Sequence, residues 1–166
     1  MTAINVKLGN IGSFWTSACK QAVHDLNLVF KKKGVAVTLA VNGAGPTISV
    51  QTDATIGALL VHGKTSAETD GSGKLVRADV RLPAKLSINS PNGVRDAGAG
   101  VAEVIAAHEF VHALGHAPHN SQLMTRTWTK VAGDRAAGDK LQAGSAAMPP
   151  LQLADESVDM LKGIWS

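Results

Sequence analysis

The spacing of apolar and polar positions changes several times along the chain. Ile4, Val6 and Leu8 alternate with polar neighbours, the period-two signature of a short strand. From Ser13 to Lys33 the spacing switches to three and four. Trp15, Cys19, Ala22, Leu26 and Val29 or Phe30 mark one face of an amphipathic helix. Ser13 is placed to cap that helix, and Gly34 to stop it. Apolar and β-branched residues then predict four strands, over residues 35–41, 47–52, 58–62 and 75–82. Residues 66–73 are polar and contain glycine, which predicts a loop or hairpin turn, and residues 89–100 read as a second loop. Val101, Val104, Ile105, His108, Val111 and Leu114 predict a second helix, broken at Gly115 and Pro118. Residues 130–150, rich in Gly, Ala and Pro, read as irregular. Ala154, Val158, Leu161 and Trp165 predict a short closing helix. Five strands and three helices in this order make an α+β chain with helices packed on one sheet.

Composition narrows the function classes. A length of 166 residues fits a single domain, 1–166. Such a chain buries about 68–70% of its unfolded surface and needs no disulfide scaffold. Hydrophobic residues at 45% and charged residues at 17% exclude a disordered chain. The single Cys19 excludes an internal disulfide and reads as a small core residue on the first helix's stripe. The net charge is only +3, and the one dense basic run, Lys31 to Lys33, reads as the solvated end of a helix. Tyr is absent and only three Phe and three Trp are present, too few for a base-stacking surface. No nucleic-acid partner is therefore expected. No apolar run approaches the about 18 residues of a membrane span, so no membrane partner is expected either. The first residues lack a basic stretch followed by an apolar one, so no signal peptide is expected, and the compartment stays open.

The chemistry concentrates in one stretch. Of six histidines, four lie between residues 108 and 119. His108 and His112 are four apart on the second helix and project from one face, able to hold one metal ion. Two imidazoles suit Zn2+. Glu109, beside the first ligand, cannot face the same metal but can reach a water at an open coordination position as general base. A catalytic zinc usually has three protein ligands. Gly115 and Pro118 end the helix and let the chain turn back, which makes His119 the third imidazole. His116 competes if the helix runs on past Gly115. His119 is preferred, because Pro118 cannot continue the helix and biases Ala117 toward an extended backbone. His116 would then face a cleft wall or solvent. His24, His62, Trp128 and Trp165 read as ordinary surface, strand or packing residues, and Glu103 as a solvated helix position.

His108-Glu109-x-x-His112-x-x-Gly115 resembles the metzincin zinc peptidases, and within them the matrixin-like group. The family spacing would put the third histidine at position 118. Here Pro118 stands there, and His119 follows one residue late. The resemblance implies a twisted mixed sheet of about five strands, an N-terminal backing helix, an active-site helix and a C-terminal helix. It implies that Leu123-Met124 forms the methionine turn, with Met124 beneath the metal. It implies an antiparallel edge strand above the cleft where substrate adds, for which residues 57–63 are the candidate, with Ala58, Leu59, Leu60 and Val61 touching substrate. Residues 125–130 would wall the adjacent side-chain pocket. No tyrosine ligand of the astacin or serralysin kind can exist, and no propeptide cysteine motif is visible. Calcium is common in such relatives, but no compact acidic loop assigns it here.

The expectation is a monomeric zinc endopeptidase acting on peptide or protein substrate, secreted or extracellular by analogy. Two other classes compete. One is a catalytically inactive zinc-binding domain used for interaction, motivated by the shifted His119. The other is a basic nucleic-acid binder, resting only on the pI and the lysine run.

Overall fold

A computed structural model describes residues 1–57, 63–90, 93–126 and 150–166. Strand β1 (Thr2–Leu8) leads into helix α1 (Gly12–Lys33), then strands β2 (Val37–Val41), β3 (Thr47–Asp53), β4 (Lys64–Thr69) and β5 (Leu75–Pro83). A short hairpin, β6 (Ser87–Ser90) and β7 (Gly93–Asp96), precedes helix α2 (Ala99–Ala113). Helix α3 (Asp155–Ile164) closes the chain. The architecture is α+β, with a five-stranded mixed sheet in the order β2-β1-β3-β5-β4. Neighbouring strands are parallel except for the antiparallel pair β4–β5.

Alternation decides which face of the sheet is covered. Ile4, Val6, Ile48, Val50, Ala78, Val80 and Leu82 are buried toward the helices. Lys7, Gln51, Asp79 and Arg81 stand between them and are exposed on the other face. Helix α1 buries Trp15, Ala18, Cys19, Ala22, Leu26 and Phe30 against α2 and β2. The Trp15 indole donates to the Pro83 carbonyl at 2.8 Å, tying α1 to the end of β5. Asn27 clamps the edge strand β2. Its amide donates to the Leu39 carbonyl and its Oδ1 accepts the Leu39 N–H, both at 2.9 Å. Helix α2 is apolar on nearly all sides, as befits a helix between α1 and the β4–β5 edge of the sheet.

Several elements differ from the sequence pattern. Strand β4 occupies part of the stretch expected as a loop. It is an edge strand with mostly exposed residues, so it needs no apolar stripe, and pairing with β5 defines it. The turn follows at Asp70, whose Oδ1 accepts from the N–H groups of Ser72 and Lys74. The hairpin β6–β7 replaces the second loop, because four-residue strands are too short to display alternation. Ser13 does not cap α1. The helix starts at Gly12 behind Ile11, which is buried and anchors the entry without a side-chain cap. The expected strand at 58–62, with His62, lies outside the described residues, as does Trp128.

Glu103 is half-buried where a solvated residue was expected. It faces Asp25 of α1, and burial, then the hydrogen bond and charge of Asp25, push its carboxyl up to about 7. Burial pushes Asp25 up as well, but hydrogen bonds from His24, Glu103 and Gln21 outweigh it and leave that carboxyl below its usual value. Lys33 at the end of α1 pairs with Asp155 of α3 at 2.9 Å.

Candidate metal centre

Helix α2 carries His108 and His112 one turn apart on one side of the helix, with ring centroids 4.5 Å apart and planes at 81°. The helix ends at Ala113, and Gly115 follows with φ 105°, a left-handed conformation open to glycine. A Cβ at Gly115 would also stand 2.8 Å from Ile164 Cδ1, so the Ile164 side chain of α3 would have to shift to admit one. This turn brings the chain back across the face of α2. His119 then stacks on His108, with ring planes 20° apart and centroids at 5.2 Å.

Three imidazoles therefore converge. His112 Nε2 lies 2.9 Å from His108 Nε2 and 3.2 Å from His119 Nε2. The ligand atoms of all three lie within 4.8 Å of one another, close enough to hold one metal ion. Second partners set the tautomers of two rings. His108 Nδ1–H donates to the Leu123 carbonyl at 2.8 Å, and His112 Nδ1–H donates to the His116 carbonyl at 2.6 Å. A carbonyl can only accept, so both protons sit on Nδ1 and both Nε2 lone pairs point into the cluster. Two lone pairs facing at 2.9 Å repel, and a cation between them removes that repulsion.

His116 is absent from the cluster. Its ring is fully buried, neither on a cleft wall nor in solvent as expected. The chain turns inward after Gly115, and the His116 N–H donates to the Val111 carbonyl at 3.3 Å. Burial foremost holds its imidazole below the usual histidine value. What His116 supplies to the cluster is the backbone carbonyl that orients His112. The turn after His119 is braced by Asn120, which donates to Ser157 of α3 at 2.8 Å. Met124 is fully buried in this turn, next to the Leu123 carbonyl that orients His108.

Glu109 is buried, with 2% of its surface exposed, and it lines a cleft of about 600 Å³ together with His112, His119, Gly63, Thr65 and Ala67. Thr65 was not singled out from the sequence, and Gly63 entered only as the end of the expected edge segment 57–63. Thr65 reaches the site only through the register of β4, which no local motif reveals. A Cβ on Gly63 would stand 2.6 Å from the Arg81 carbonyl and 3.2 Å from Glu109 Cγ, so this close approach of backbone to Glu109 needs glycine. Among the described residues, β4 is the edge strand beside the cleft, and residues 58–62 of the expected edge segment lie outside them. Ala58, Leu59, Leu60 and Val61 lie outside the described residues, as do residues 127–130 of the expected pocket wall. Of that wall, Thr125 is half-buried and Arg126 exposed.

Fold and cluster together define an α+β protein with a tri-histidine site, formed by α2 and the turn after it, able to hold a metal ion. Compared with known proteins, the chain matches no family model and no curated protein sequence. Among the described residues, no helix is long and apolar enough to cross a membrane.

Proposed function

We propose that this protein is a zinc-dependent endopeptidase with a metzincin-like, matrixin-like catalytic domain. The observation that carries the reading is the convergence of three histidine Nε2 atoms, two on rings locked by backbone carbonyls, beside a buried glutamate in an open cleft.

The donor set fits zinc. Tetrahedral zinc with Zn–N of about 2.0–2.1 Å sets neighbouring nitrogens roughly 3.3 Å apart. The two spacings at His112, 2.9 and 3.2 Å, need only small adjustments. His108, His112 and His119 would hold the ion. Bound there with one position open, zinc supplies Lewis acidity toward a carbonyl and toward water. Glu109 takes a proton from the water that attacks the scissile carbonyl carbon. It delivers that proton to the amide nitrogen as the C–N bond breaks. The extended peptide adds along β4, the terminal strand of the sheet among the described residues, whose backbone borders the cleft. Met124 takes the part of the methionine turn, as a packing residue that does not coordinate.

Metal analysis joined to a peptide-library cleavage assay tests this reading. The expected result is about one zinc per chain and peptide cleavage that Glu109→Ala abolishes while zinc remains. Zinc bound without any cleavage would replace the peptidase with an inert zinc-binding interaction domain. No zinc at all would sink both.

A further inference from the structure

The hydroxyl of Thr65 has no part in the chemistry above, yet it sits against the base. Thr65 pairs with Val80 across β4–β5, and by the period of two its side chain points as Val80 does, toward α2. Its neighbours Lys64 and Ser66 pair with Arg81 and Asp79, on the exposed face. Thr65 Oγ1 lies 2.5 Å from Glu109 Oε2 and 3.3 Å from the Glu109 carbonyl oxygen. A hydroxyl carries one proton, and the short contact to the carboxylate is the stronger acceptor. Gly63 closes on the Glu109 side chain at Cγ. The carboxylate is thus held at its stem by packing and at one oxygen by a hydrogen bond.

We propose that Thr65 is the positioning residue of the general base: its hydroxyl fixes Oε2 of Glu109 and so sets the carboxylate's orientation in the cleft. This rests on Glu109 acting as the base. A glutamate has three side-chain torsions, and loss of one tether lets the carboxylate sample orientations that do not reach the reacting water. Thr65 belongs to the edge strand on which a peptide would pair. Substrate seating and base alignment are therefore built on one element.

The test compares Thr65→Val, which removes the hydroxyl at constant shape, with Thr65→Ser, which keeps it. Thr65→Ala serves should the valine variant fail to fold. Two readouts are taken: steady-state peptide hydrolysis, and the infrared carboxylate band of Glu109, isolated by subtracting the spectrum of Glu109→Gln. Thr65→Val is expected to lower kcat about tenfold to a hundredfold with KM within about twofold. Its zinc content should match wild type, and the Glu109 band should shift. Thr65→Ser should keep kcat within about threefold and leave the band in place. Equal losses in the serine and valine variants would assign the effect to the methyl group and overturn the proposal. Wild-type kcat with an unmoved band in Thr65→Val would do the same. If the wild-type protein cleaves no peptide, the peptidase reading fails separately. The band then decides alone: a shift in valine that serine reverses supports positioning, and no shift overturns it.

Discussion

His116 and His119 are three residues apart and have opposite surroundings. The His119 ring is exposed and faces His112, whereas the His116 ring is sealed in the core. Replacing His119 with Ala is expected to weaken zinc binding by about a hundredfold or more, because two imidazoles remain of three. His116→Ala keeps the backbone carbonyl that orients His112. The folded variant should bind zinc within about threefold of wild type, at some loss of stability from the emptied core site. Zinc titration of the two variants checks the order, and the reverse order would move the third ligand to His116. A second residue-scale expectation concerns Glu103. Its carboxyl is raised to about 7 by burial and by Asp25, so the folded chain holds a proton that the unfolded chain releases near the ordinary value of 4.5. The folded state binds more protons in that window, so this group's stabilisation is present below about 4.5 and is lost as pH rises to about 7. His24 and Asp25 are the titratable neighbours across the α1–α2 contact. Glu103→Gln should therefore raise Tm by about 2–4 °C at pH 8, solvent screening of a half-buried group keeping the gain small. The difference should close toward pH 4.5, and a gap unchanged with pH in paired melting curves would contradict this.

Elements were legible in proportion to how much of their surface is buried. Helix α1, with a long apolar stripe, and β5, alternating Ala78, Val80 and Leu82 with exposed residues, follow the sequence pattern closely. β4 and the β6–β7 hairpin did not show themselves, because an exposed edge strand and four-residue strands carry little hydrophobic signal. The connection after α2 depends on α3. The Trp165 indole donates to the Leu114 carbonyl at 2.9 Å, capping the helix end, and Ile164 packs against Gly115. Gly115→Ala combines an unfavourable φ with a Cβ 2.8 Å from Ile164 Cδ1. It should cost about 1–3 kcal/mol in denaturant unfolding. Zinc affinity should fall with it, since the same turn delivers His119. Unchanged stability would mean that the turn relaxes without moving α3.

For the whole molecule, a bound metal and the fold are thermodynamically linked. The three ligands come from α2 and from the turn that α3 braces, so an ion joining them stabilises the native state over the unfolded chain. At free zinc about a thousandfold above its dissociation constant, the stabilisation is about 4 kcal/mol. Chelation should therefore lower Tm by several degrees and zinc should restore it, while His112→Ala should show neither change in calorimetry. Equal Tm with and without chelator in the wild-type protein would argue against a metal at this cluster.

The sequence alone determined the α+β order of the main elements and the pairing of His108 with His112. Both depend on local periodicity, which the chain displays residue by residue. The glycine break at 115 was visible for the same reason. Pro118 already favoured His119 over His116 in the sequence, and the tertiary structure brings His119 to the other two imidazoles. Both follow Gly115, and the tertiary structure was needed to show that the His116 ring turns inward and is fully buried. It was also needed to bring in the Leu123 and His116 carbonyls that set the tautomers, and Thr65 from 44 residues away. Partners of that kind are chosen by strand register and helix docking, and neither leaves a mark on the local pattern.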